Sequence, residues 1–262
     1  MLRFVPFGVG LLAGGLLIRE RRARIHAERL GAATMETLLN AIDANDATTG
    51  AHVRRVADYS LILAEAADLD EPTRRSIERV ALFHDIGKID EAVSDIFHDD
   101  TGLTPAERRA VKTHPRRGAD VLAPLSNFYP DLPEGVLSHH ERWDGKGYPR
   151  HLKGRRIPIT ARVVAIADTF DAVTHSRRYR SGRSTPEAEA VLLEGRETQF
   201  DPILVDLFLS PPVMECIELS MATRHAPARK NQRRGKTRVE RPVPDLKFRW
   251  RPADAAPLPQ DR

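Results

Sequence analysis

Apolar residues in this chain recur three and four positions apart, the period of a helix that buries one side. Val53, Val56, Ala57, Ser60 and Leu61 share one face over 50–68. Ile77, Val80 and Ala81 do so over 72–83, and Val163, Val164, Ile166, Ala167 and Phe170 over 159–174. Helix starts punctuate the pattern. Thr104-Pro105-Ala106-Glu107 and Ser184-Thr185-Pro186-Glu187 each place a cap, a proline in the first turn and a glutamate three residues on. The first of these helices runs to Leu122 with a break near Pro115, and a short helix covers 133–141. Asp201-Pro202 opens the last helix. Alternation of period two is missing over any useful length. The class is all-α, a bundle of roughly eight helices.

The two ends of the chain read differently. Phe4 to Ile18 is apolar apart from glycines and Pro6, and Arg19, Arg21, Arg22 and Arg24 follow it. At about 1.5 Å per residue it spans about 22 Å, short of a ~30 Å hydrocarbon core. The basic flank predicts residues 1–18 as an uncleaved membrane anchor, with the rest of the chain at the inner, cytoplasmic face. The competing reading packs this stretch on the body or on another chain. Residues 19–40 read as a linker helix, extending to about Asn45 and able to pair two chains into a homodimer. The body follows over 41–210.

Charge changes the picture of the tail. The net charge is +4, but residues 221–262 hold twelve Lys/Arg against four Asp/Glu, leaving the body at −4. With six prolines and few large apolar residues, this tail reads as disordered and solvated. The single cysteine, Cys216, excludes an intrachain disulfide framework and a cysteine-built metal site, which suits a reducing cytosol.

Candidate chemistry centres on His84-Asp85-Ile86-Gly87-Lys88, at the end of the 72–83 helix with Gly87 as its stop. A neutral imidazole beside a carboxylate is a metal-gripping pair. Lys88 adds a fixed positive charge. His52, His114, His139 and His140 lie on other helices. Asp168 lies within the most apolar helix, where a carboxylate is costly unless paired or metal-bound. Singly, each is an ordinary core histidine or surface charge. Together they supply the nitrogen and oxygen donors of a two-metal site, suited to a phosphodiester. After the His-His pair comes Glu141-Arg142-Trp143-Asp144-Gly145-Lys146-Gly147-Tyr148-Pro149, a loop by composition. Arg177, Arg178 and Arg180 surround Tyr179, a group suited to a phosphate and a stacked base.

His84-Asp85-Ile86-Gly87-Lys88, His139-His140-Glu141-Arg142 and Asp144-Gly145-Lys146-Gly147-Tyr148-Pro149 together resemble the HD-GYP family of HD-superfamily phosphohydrolases, from about Ala41 to Phe208. The resemblance implies an HD-type helical bundle with an iron or manganese centre. It also implies hydrolysis of cyclic di-GMP to pGpG and on to GMP. His52, His84, Asp85 and Asp168 would hold one metal, with Asp85 bridging. His114 and His139 would hold the second, and His140 would serve the second or a third. Asp85 and Lys88 would be catalytic. Lys88, Tyr148, Arg177 and Arg180 would meet the substrate. A diguanylate cyclase or other signalling protein would be a natural partner.

Three departures bear on these expectations. Thr48 stands where some members have a glutamate that helps hold a third metal, so two divalent ions are expected. Asp90-Glu91-Ala92-Val93 replaces the usual Gly-Ile-Pro-Asp, in a segment that often covers the active site. Arg178 replaces a proline, loosening that loop. Hydrolysis of another cyclic dinucleotide or nucleotide, and a non-catalytic sensing or docking role, are the alternatives.

Overall fold

The computed structural model describes residues 19, 29–44, 46–88, 104–175 and 182–225. The anchor expected over 1–18, the segment 90–100, Arg177, Arg178 and Arg180, and the tail beyond 225 lie outside the described residues, as does most of the first half of the linker.

Among the described residues the structure is helical, with one isolated β-bridge between Arg196 and Phe200. Helix α1 (29–44) leads to α2 (Ala47–Ala66), α3 (Glu71–Phe83) and a 3-10 turn at Ile86–Lys88. Then come α4 (Pro105–Val111), α5 (His114–Leu122), α6 (Asp131–Ser138), α7 (Ile159–Thr174), α8 (Thr185–Gly195), α9 (Pro202–Phe208) and α10 (Pro211–His225). Helices α2, α3 and α7 pack against one another at the centre. Helix α7 has no exposed residue, as befits a helix enclosed by others: Val163, Val164, Ile166, Ala167 and Phe170 are fully buried. Phe170 meets Tyr59 of α2 and Phe208 of α9 edge-on, at ring separations of 5.6 and 5.3 Å.

Local chemistry sets the helix starts. Asp46 caps α2, accepting from the Thr48 and Thr49 amides, and Asp70 caps α3, accepting from the Thr73 amide at 2.9 Å. Ser184 and Glu187 form the expected capping box of α8. The break near Pro115 separates α4 from α5. Asp201 caps α9 through the Ile203 amide. Its other oxygen accepts from buried Arg162 Nη1 of α7 at 2.8 Å, while Arg162 Nε donates to Ile157 O.

Two expectations at the C-terminal end are corrected. The helix opened by Asp201-Pro202 is not the last. Helix α10 follows and buries Val213, Met214, Cys216 and Ile217 against the core beside α2. Residues 221–225, expected as the start of the tail, are the end of this helix. Pro211 and Pro212 sit in its first turn, where proline is tolerated. No helix among the described residues is long and apolar enough to cross a membrane.

Candidate metal centre

His84 is the C-cap of α3, and Asp85 follows it into the 3-10 turn. Gly87, expected from the sequence to stop the helix, does not do so; α3 has ended by Phe83. What needs a glycine is close approach. A Cβ at Gly87 would stand 2.1 Å from the His114 carbonyl oxygen and 2.6 Å from the Gly118 nitrogen. The missing side chain lets the turn lie directly on the start of α5, which brings His114 to Asp85. Gly87→Ala therefore lowers stability by about 2–3 kcal/mol, because backbone must move on both sides. A urea unfolding midpoint equal to that of wild type would refute this.

Around Asp85 the structure gathers all the expected donors among the described residues. Asp85 Oδ2 faces His84 Nε2 at 3.6 Å. Asp85 Oδ1 faces His114 Nε2 at 3.5 Å and His139 Nε2 at 3.9 Å. Asp168 Oδ1 lies 3.3 Å from His52 Nε2 and 3.8 Å from His84 Nε2. Two donors held about 2.1 Å from one ion stand roughly 3.0–3.6 Å apart at angles of about 90–120°. Most of these separations are of that order. The donors fall into two sets: His52, His84 and Asp85, and His114, His139 and His140.

Secondary contacts aim the rings. Nδ1 of His84, His114 and His139 donates to the carbonyl three residues earlier, Ala81, Val111 and Val136, at 2.8, 2.7 and 2.6 Å. A carbonyl only accepts, so each Nδ1 carries the proton and each Nε2 lone pair faces the cluster. His52 Nδ1 is held instead by the Asp171 carboxylate at 2.7 Å. Nε2 of His52, Nε2 of His84 and Oδ1 of Asp85 are buried without a hydrogen-bond partner. Buried polar atoms rarely go unsatisfied. This arrangement fits cations bound among them.

Electrostatics follow from burial and neighbours. Burial drives the His114 imidazole down to about 4 and His140 to about 3, and it pushes His139 well below the usual range. All three are neutral, the form that binds metal. Burial also acts on His52, but Asp168 and Asp171 outweigh it and raise it to about 9. Burial would raise the Asp85 carboxyl, yet the Lys88 ammonium beside it holds it well below the carboxylate range. Lys88 Nζ donates to Asp85 Oδ2 at 2.6 Å, so it reaches the cluster itself.

The loop after His140 forms one wall. Buried Glu141 accepts from the Arg150 and Leu152 amides, and Trp143 and Asp144 amides donate to Gln199 and Thr198 carbonyls. Gly147 lies where a Cβ would stand 2.3 Å from the Arg142 nitrogen. The Tyr148 ring stacks on His140 at 4.9 Å, and Lys112 Nζ lies 5.5 Å from its centre. Burial raises the Tyr148 hydroxyl's pKa, so it stays protonated. A cleft of about 290 Å³ opens here, lined by Lys112, His140, Arg142, Lys146, Tyr148 and Asp168 among others. Thr48 is exposed at the start of α2. Sequence reasoning missed Asp171, Arg55 and Lys112. Asp171 carried the same signal as Asp168, a carboxylate in an apolar helix.

The HD domain family model matches residues 36–204, well over half of the chain. The chain belongs to the HD domain family. Among curated relatives, the cyclic di-GMP phosphodiesterase response regulator RpfG of Xanthomonas campestris is 39% identical over 178 residues, covering 67% of this chain and 47% of its own. The 3'3'-cGAMP-specific phosphodiesterase 2 of Vibrio cholerae is 36% identical over 174 residues, covering 66% and 33%. The chain thus spans about a third to a half of the length of these relatives. Among solved structures, a cyclic GMP-AMP specific phosphodiesterase of V. cholerae superposes with a TM-score of 0.53 at 22% identity, covering 74% of this chain and 53% of that one. That likeness supports the all-α HD fold. The HD-GYP resemblance agrees with relatives named as cyclic di-GMP phosphodiesterases.

Proposed function

We propose that this HD domain is a metal-dependent phosphodiesterase that opens cyclic di-GMP to linear pGpG. One observation carries the reading: the two oxygens of Asp85 face separate imidazole sets, Oδ2 towards His84 and Oδ1 towards His114 and His139. That suits a bridging carboxylate. In this reading His52, His84, Asp85 and Asp168 hold one divalent ion, iron or manganese by donor type. Asp85, His114, His139 and His140 hold the other.

When bound, the ion pair supplies Lewis-acid polarisation of the phosphoryl group. The chain's own residues do the rest. Asp85 fixes the spacing of the two sets. Lys88, 2.6 Å from Asp85, puts a cation beside the charge that develops on the phosphate. Lys112, Arg142 and Lys146 give the cleft a basic lining that attracts the phosphates. The Tyr148 hydroxyl stays a donor, and its ring, backed by His140, offers a face on which a base can stack. Arg177 and Arg180 belong to this reading by motif alone.

Purified full chain loaded anaerobically with Mn²⁺ or Fe²⁺ should convert cyclic di-GMP to pGpG, with GMP as a further product, identified by mass spectrometry. Two bound ions per chain with cyclic di-GMP intact after hours would overturn the reading. A second reading, another cyclic dinucleotide as substrate, is favoured by the relatives named as 3'3'-cGAMP-specific phosphodiesterases at 36% and 37% identity. The same assay run on both dinucleotides decides between them.

A further inference from the structure

His52 differs from the other aimed imidazoles. His84, His114 and His139 are held by neutral carbonyls three residues back, at the ends of α3, α4 and α6. His52, on α2, is held from another helix by a carboxylate, Asp171 of α7. Asp171 is 1% exposed, and each of its oxygens has two donors. Oδ2 accepts from His52 Nδ1 at 2.7 Å and Arg55 Nη2 at 2.9 Å. Oδ1 accepts from Arg55 Nε at 2.6 Å and faces His175 Nδ1 at 3.1 Å. The carboxylate is saturated and cannot turn towards the cluster. Arg55 grips it through both oxygens, and Arg55 sits one turn after His52 on α2.

We propose that Asp171, locked by Arg55 and His175, is the positioning residue for His52, and through it controls the cation held by His52, His84 and Asp168. A carboxylate behind a ligating imidazole fixes its tautomer and makes its other nitrogen a stronger donor. The set of His114, His139 and His140 has no hydrogen bond to Asp171 among the described residues, so the effect is confined to one ion. The inference rests on the reading that the cluster holds two cations. It assigns Asp171 no contact with substrate.

The test is Mn²⁺ binding to the full chain, followed by calorimetry and by electron paramagnetic resonance. Asp171→Asn keeps the shape and removes the charge. It should weaken one of two Mn²⁺ sites by about 10–100-fold and leave the other unchanged. His52→Ala should weaken the same site. The double variant Asp171→Asn with His52→Ala should bind no more weakly than His52→Ala alone, because Asp171 acts only through that ring. Equal loss at both sites, additive losses, or wild-type binding by folded Asp171→Asn would each overturn the inference. Should the variant fail to fold, nitrogen-15 spectra of the zinc-loaded wild type still decide. They should show His52 protonated at Nδ1 and metal-bound at Nε2, and the reverse tautomer would refute the proposal. Two bound Mn²⁺ with no hydrolysis would fail the proposed function and leave Asp171's role standing. A chain that hydrolyses, with metal binding indifferent to Asp171→Asn, would fail this inference alone.

Discussion

Under the proposed function, Asp85→Asn is expected to lower the rate of cyclic di-GMP hydrolysis by about a thousand-fold or more, roughly 4 kcal/mol of barrier. The amide is the same size, so the helix end and its packing survive. It keeps one neutral oxygen and turns an NH₂ towards one of the two imidazole sets. His84 is 3.6 Å from one carboxylate oxygen, and His114 and His139 are 3.5 and 3.9 Å from the other. No single amide rotamer presents an acceptor to both sides. The substitution also deprives Lys88 of its 2.6 Å anionic partner, leaving a cation pressed against the metal-binding face. Metal analysis should therefore fall from two ions per chain to one or none, with circular dichroism unchanged. Turnover within tenfold of wild type, with two ions retained, would show that Asp85 bridges nothing.

The largest effect on stability is expected at Asp201, away from the cleft. Asp201→Ala should cost about 3–5 kcal/mol. It removes the cap of α9 and strands the Arg162 guanidinium, a cation inside the apolar helix α7 with 7% of its side chain exposed. Arg162 would keep only the Ile157 carbonyl as acceptor among the contacts described above. Urea unfolding of the wild type and variant reads the loss directly. Pairing Arg162→Met with Asp201→Ala should recover much of it, since two apolar groups need no partner. A single variant within 1 kcal/mol of wild type would mean that water reaches Arg162 and solvates it.

Helix type and several boundaries were legible because they depend on neighbours in sequence. The 159–174 helix matches α7, and the capping box at Ser184 and the break at Pro115 are local events. The histidines and carboxylates were legible as a set because so many metal-binding side chains on a helical body are hard to explain otherwise. What escaped depended on which element lies opposite. Gly87 reads as a helix stop, and only the facing His114 carbonyl reveals it as a close approach. Helix α10 begins with two prolines and runs into a basic segment, so its buried Val213, Met214 and Ile217 fell between the expected body and the expected tail. Arg162 and Asp171 were readable in principle. The cost that singled out Asp168 in an apolar helix applies equally to both.

Tethering three of the rings to carbonyls one turn back has a consequence for how this pocket can change over evolutionary time. The aim of these three rings is written in main chain rather than in the choice of surrounding side chains. Residues on the outer faces of α3, α4 and α6 can be exchanged freely without disturbing the cage. An insertion or deletion near one of those helix ends would redraw it.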